Sequence, residues 1–148
     1  MTPLLKYDKR RLQQVLVNLL SNACKFQEKG EIIVAAYCTQ NNDYNSLQER
    51  GLMINVVVQD KGVGMSPEKA ATIFEPFGSS NNNVRGNGVG LSICKKICEQ
   101  LEGEIVVESK EGIGSKFTFR VKAYQARSVE TQFSPKKSKK KEKKKQPT

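Results

Sequence analysis

The chain has 148 residues, enough for one domain with its own core, and a formal charge of +10 with no histidine. The missing histidine excludes imidazole acid–base catalysis, histidine-ligated metal and phosphorylation on a histidine within this sequence. The positive charge does not make the folded part a nucleic-acid binder: from Gln125 onward nine Lys or Arg outnumber two Glu, whereas the preceding 124 residues carry sixteen basic and thirteen acidic groups.

Residues 1–7 read as an extended lead-in, with Pro3 discouraging helix. Asp8 is placed to cap a helix that runs to about Gln27, before Gly30 ends it. Leu12, Val15, Leu16, Leu19, Leu20 and Ala23 recur at the spacing of a buried helical stripe. On another face Gln14, Asn18, Asn22 and Lys25 fall within about 80° of one another, a single file of amides ending in a lysine. Such a file offers acceptor oxygens and a cation to a magnesium-bound polyphosphate, and equally it is an ordinary solvated surface.

Glu31–Gln40 reads as a strand, Asn41–Arg50 as a polar connection, and Leu52–Gln59 as a central strand running into Asp60. DKGVGM follows as a tight turn, and Ser66-Pro67-Glu68 opens a short helix that ends near Phe74. Gly78–Gly88 lacks apolar periodicity and is expected to be a mobile loop. Val89–Leu101 returns to helical spacing and stops at Gly103. Glu104–Ser109 and Lys116–Lys122 alternate as strands joined by a turn through Glu111, Gly112, Ile113 and Gly114. This order predicts an α+β two-layer sandwich, a mixed β-sheet covered by helices on one face, over residues 1–124. Residues 125–148 are low in complexity and are expected to be a disordered Lys-rich tail or linker.

Cys24, Cys38, Cys94 and Cys98 include no pair with zinc-finger spacing. Cys94 and Cys98, four apart beside Ile97 and Leu101, read as buried reduced thiols, which fits a reducing compartment. No apolar run approaches membrane-spanning length and no signal peptide opens the sequence, so a cytoplasmic location is expected.

Two glycine clusters carry the chemistry. Asp60 at a strand end, followed by Gly62 and Gly64, places a carboxylate where an exocyclic amine can donate to it and where a ligand can approach the backbone; a plain structural turn has the same spelling. Gly86, Gly88 and Gly90 end a loop and start a helix, leaving backbone N–H groups and the positive helix end for phosphate. No strand precedes this cluster as a dinucleotide fingerprint requires, and no Walker lysine follows it.

In their order, LQQVLVNLLSNACKF, DKGVGM, IFEPF, GNGVGLSICKKICEQLEGEI and GIGSKFTF resemble the catalytic, ATP-binding domain of sensor histidine kinases. The resemblance covers about residues 5–124 and implies the Bergerat fold shared with DNA gyrase, the Hsp90 chaperones and MutL. It implies ATP and Mg2+ as ligands, with Asn22 and Asn18 on magnesium and Lys25 on phosphate oxygens. Asp60 accepts the adenine amine in a pocket shaped by Gly62 and Gly64. Gly86, Gly88, Gly90 and the Leu91 backbone cradle phosphate, with Arg85 adding charge there and Thr118 touching the nucleotide or serving only as a strand residue. Phe74 and Phe77 dock the phosphoacceptor domain or anchor the loop.

In ATP-hydrolysing relatives a Glu stands four residues before the first of these asparagines. That position is Gln14 here, and an amide is a poor general base. The implied reaction is therefore γ-phosphoryl transfer to a strong nucleophile rather than hydrolysis. The family's other half, a dimerisation domain bearing the acceptor histidine, is not in this sequence, so the acceptor is expected on a further segment or a second chain. A response regulator or receiver domain is the implied downstream partner. The location becomes cytoplasmic, or the cytoplasmic portion of a membrane-associated sensor kinase. The alternatives are an ATP-sensing module that docks partners without catalysis, and a gyrase-like ATPase. Lys136–Lys145 holds eight lysines, suited to weak contact with an acidic surface or simply to solvation.

Overall fold

The computed structural model describes residues 5–40, 51–76 and 89–125. The connections expected at Asn41–Arg50 and Gly78–Gly88, and the tail beyond Gln125, lie outside the described residues. Within them the element order is β1 (Leu5–Lys6), α1 (Lys9–Phe26), β2 (Ile33–Gln40), β3 (Gly51–Asp60), α2 (Pro67–Thr72), α3 (Gly90–Gln100), β4 (Glu104–Lys110) and β5 (Gly114–Gln125).

Local chemistry sets the helix ends where the sequence places them. The Asp8 carboxylate accepts from the Arg11 amide at 3.1 Å, satisfying one of the first-turn donors that a helix leaves unpaired. Gln27 leaves helical geometry while its N–H still bonds Ala23 O at 2.9 Å. Ser66 caps α2 in the same way through Lys69 N, with Pro67 in the first turn, where a missing N–H costs nothing.

The strands form one five-stranded sheet in the order β1-β5-β3-β2, with β4 also on β5. A mixed sheet was expected; every described pair is antiparallel. The reason lies in the crossover. The chain leaves β3, passes through α2 and α3, and returns in β4 parallel to β3, but the tight β4–β5 turn then inserts β5 between them. The two parallel strands never touch. The lead-in also proves to be a strand, because Leu5 and Lys6 pair with Gln125 and Tyr124 at the far end of β5.

All three helices pack on strands of this sheet, and period-two alternation assigns its faces. Ile54, Val56, Val58 and Asp60 on β3 and Ser115, Phe117, Phe119, Val121 and Ala123 on β5 are buried toward the helices. Val15, Leu19 and Ala23 of α1 and Cys94, Ile97 and Cys98 of α3 close the core from the other side. Full burial of a Val or Leu side chain stabilises by about 1.5–3 kcal/mol, so this contiguous cluster supplies the main driving force. Strand β2 is exposed along its whole length, since α1 packs on β3 and leaves the edge uncovered. All four cysteines are free, with Cys94 and Cys98 buried and Cys24 and Cys38 exposed. Among the described residues no helix is long and apolar enough to cross a membrane.

Candidate functional site

Strand β3 delivers Asp60 to the edge of the core, where it is 7% exposed. Its Oδ1 accepts from Gly62 N at 2.8 Å and from Ser115 N at 3.3 Å, so both donors fall on one oxygen. Among the described residues its Oδ2 takes no hydrogen bond.

The turn after Asp60 is stitched to two neighbours. Lys61 N donates to Gln27 Oε1 at 2.9 Å, and Val63 N donates to Phe26 O at 3.4 Å, tying it to the end of α1. Gly112 N donates to Val63 O at 2.7 Å, tying it to the β4–β5 turn. The glycines permit this closeness. A Cβ on Gly62 would stand 2.1 Å from Phe26 O, and one on Gly64, at φ +65°, would stand 1.9 Å from Lys110 O.

The second cluster sits farther back along α1. Helix α3 begins at Gly90 without a side-chain cap, leaving its first-turn N–H groups, including that of Leu91, to other acceptors. A Cβ at Gly90 would meet Asn18 Nδ2 and Oδ1, each at 2.8 Å. Asn18 Nδ2 donates to Cys94 Sγ at 3.1 Å. Burial pushes the Cys94 thiol pKa up, an effect the Asn18 hydrogen bond partly opposes. The Cys98 thiol is pushed up to about 12 by burial and by its proximity to Cys94.

The amide file links the two clusters. Asn18 lies at Gly90 and Phe26 at Gly62, two helical turns apart, or about 12 Å along the axis. Asn22 is half-buried between them, and the exposed Lys25 holds its ammonium 5.3 Å from the Phe26 ring centroid. Gln14 is exposed one turn before Asn18 and lines, with Arg10, Gln13, Val17, Asn18 and Ser21, an open groove of about 750 Å³.

Not every expected residue joins this arrangement. Thr118 pairs with Val57 and Val106, and its flanking residues Phe117 and Phe119 are the ones buried toward the helices, so Thr118 faces away from α1. Phe74 packs edge-on against Phe117, with centroids 6.2 Å apart at 86°. Phe77, Arg85, Gly86 and Gly88 lie outside the described residues. Sequence reasoning missed Gly114, where an added Cβ would stand 2.2 Å from Asp60 O, and Ser115, whose amide bonds Asp60 Oδ1, as supports of Asp60, and Cys94 as the partner of Asn18. The GIGSKFTF segment carried the signal for the first two; nothing local marked the third.

The family model for "Histidine kinase-, DNA gyrase B-, and HSP90-like ATPase" matches residues 7–125. The chain belongs to this family. Among its relatives this ATPase-family domain is 40% identical over 123 residues to the sensor histidine kinase RcsC of Salmonella typhimurium, a match covering 80% of this chain and 12% of that protein. It is 36% identical over 137 residues to the peroxide stress-activated histidine kinase mak2 of Schizosaccharomyces pombe, covering 90% of this chain and 6% of the other. The family domain thus spans a small part of the length of these curated relatives. Full-length ShkA, solved in complex with AMPPNP, superposes with a TM-score of 0.67 at 30% identity over 84% of this chain and 24% of that one. The nucleotide-free catalytic domain of histidine kinase ThkA gives 0.53 at 29% identity, over 78% of this chain and 69% of that one.

Proposed function

We propose that the domain binds ATP with magnesium along α1 and donates the γ-phosphoryl group to a histidine carried on another segment or chain. The observation that carries this reading is the α1 file, which connects the Asp60 pocket at one end to the α3 N-terminus at the other. Adenine fits the first end. Asp60 is held rigidly through Oδ1 and has Oδ2 left to accept an exocyclic amine, while Gly62 and Gly64 leave the wall without side chains. Phosphate fits the second end, where uncapped N–H groups of α3 face a negative charge favourably.

The carbonyl oxygens of Asn18 and Asn22 are neutral, hard donors on one face of α1 and suit magnesium, with Lys25 following them on the same file. Magnesium, when bound, neutralises charge on the phosphate oxygens. In the transfer the imidazole nitrogen forms a bond to the γ-phosphorus, the bond from that phosphorus to the ADP bridging oxygen breaks, and ADP leaves with the electron pair. Gln14 cannot take a proton from water at neutral pH, which supports transfer over hydrolysis. ShkA complexed with AMPPNP supports the nucleotide assignment. The relatives' names support a place in two-component signalling, with a response regulator or receiver as the next acceptor. The free thiols suit a cytoplasmic setting.

The test combines titration calorimetry with ATP and magnesium chloride and transfer of label from γ-labelled ATP to a supplied dimerisation domain of a related kinase. Wild type is expected to bind and transfer, and Asn22→Ala and Asp60→Ala to lose transfer. Magnesium-dependent binding with no transfer to any such acceptor would move the reading to an ATP-sensing module. Label transfer undiminished in both variants would remove the site assignment.

A further inference from the structure

Among the described residues Asn18 is gripped twice from outside its own helix, and both grips come from α3. Gly90 leaves the notch that admits the amide, since a Cβ there would lie 2.8 Å from each of its polar atoms. One turn later Cys94, 1% exposed, accepts from Asn18 Nδ2 at 3.1 Å. A terminal amide rotates over a broad two-fold torsion and presents nitrogen or oxygen outward almost equally unless something chooses. The buried sulfur makes that choice. With Nδ2 turned to Sγ, Oδ1 is the atom left for a ligand of the α1 file.

We propose that Cys94 is a positioning residue: its thiol fixes the Asn18 amide so that the carbonyl oxygen, not the NH2, is presented to the magnesium–phosphate end of the nucleotide site. This rests on the proposed ATP reading and deepens it. The thiol suits the task because it is small and buried. An apolar side chain of the same size in this place fills the core equally well and orients nothing. The choice of rotamer is worth what one ordinary hydrogen bond is worth, roughly a three- to tenfold shift in an equilibrium.

The test uses the full 148-residue chain in four forms, wild type, Cys94→Val, Cys94→Ser and Asn18→Ala, with the double variant of Cys94→Val and Asn18→Ala. Nucleotide affinity is measured across a magnesium chloride titration, with adenosine as a ligand that has no phosphate. Cys94→Val is expected to raise the magnesium concentration for half-maximal ATP binding about three- to tenfold while adenosine affinity stays at the wild-type value. Cys94→Ser, which keeps an acceptor, is expected to restore the wild-type magnesium dependence. In the Asn18→Ala background Cys94→Val is expected to add nothing, because the residue it acts through is gone.

A merely structural role for Cys94 would lower adenosine and ATP affinity together and add its loss in the Asn18→Ala background; either result overturns the proposal. An unchanged magnesium dependence in Cys94→Val overturns it as well. Should Cys94→Val fold poorly, as a thermal melt would show, Cys94→Ala replaces it in the same cycle. Failure of the ATP reading itself looks different: the wild-type chain then shows no magnesium-dependent ATP binding at all.

Discussion

Gly62→Ala perturbs the Asp60 pocket directly, at a glycine whose amide bonds the carboxylate. The added Cβ would stand 2.1 Å from Phe26 O, 2.7 Å from Phe26 C and 2.9 Å from Asp60 Oδ1, so two of its three neighbours are backbone and cannot rotate aside. Relief requires the turn to retreat from α1, which stretches the 2.8 Å bond from Gly62 N to the carboxylate and the 3.4 Å bond from Val63 N to Phe26 O. Overpacking of this kind costs about 1–3 kcal/mol. Weakening a hydrogen bond to a charged acceptor adds about 1.5–3 kcal/mol. A total of about 2.5–6 kcal/mol corresponds to a melting temperature lower by roughly 8–24 °C for a domain of this size. Differential scanning calorimetry measures it, with ATP titration reporting the pocket. Gly112→Ala is the control. Nothing lies within 4 Å of a Cβ there, so only the strain of φ +75° remains, about 1 kcal/mol. If Gly62→Ala melted within about 3 °C of wild type and bound ATP equally well, the wedged-turn account would be wrong.

Asp60→Asn keeps an oxygen for the Gly62 and Ser115 amides but loses the charge, so the fold is expected to hold while ATP affinity drops about tenfold or more in calorimetry; equal affinity would detach adenine from this residue. Gln14→Glu is expected to raise steady-state phosphate release from ATP above the wild-type rate in a coupled assay, because the file then carries a proton acceptor; no rise would mean that position 14 does not face the reacting phosphate. Because Cys98 titrates near 12 when folded and at its ordinary 9.0 when unfolded, the unfolded chain binds fewer protons between those values. Stability from urea melts is therefore expected to be full below pH 9 and to fall as pH rises toward 12, with Cys98→Val flattening that slope. Phe119→Ala empties a fully buried site between the helices and β5 and is expected to cost about 3–5 kcal/mol in the same melts.

The elements most readable in the sequence were those whose signals are local. Asp8 and Ser66 mark helix starts because a short polar side chain satisfies a free amide three residues on, and both do so here. The alternation through Lys116–Lys122 likewise marks a half-buried strand, with Phe117, Phe119 and Val121 on its buried face. What stayed hidden depends on partners distant in the chain. Leu5 and Lys6 are a strand only because the end of β5 lies beside them. The antiparallel order follows from where the β4–β5 hairpin inserts, which no window of residues encodes. The expected site divided in the same way. Asp60 with its glycines and the amides of α1 were legible as motifs, whereas the contact between Asn18 and Cys94 joins residues 76 apart.

Strand β5 has a consequence for the order of events during synthesis. It pairs with β1, β3 and β4 and supplies the Ser115 amide to a carboxylate 55 residues earlier. Until it emerges from the ribosome, β1 has no partner, β3 has an open edge and Asp60 lacks one of its two donors. The sheet and the surroundings of Asp60 are thus completed by one late event. Such dependence on non-local pairing slows folding and leaves the apolar strand β3 exposed in the interval. A nascent chain halted before residue 114 should therefore remain sensitive to protease in the region that later surrounds Asp60.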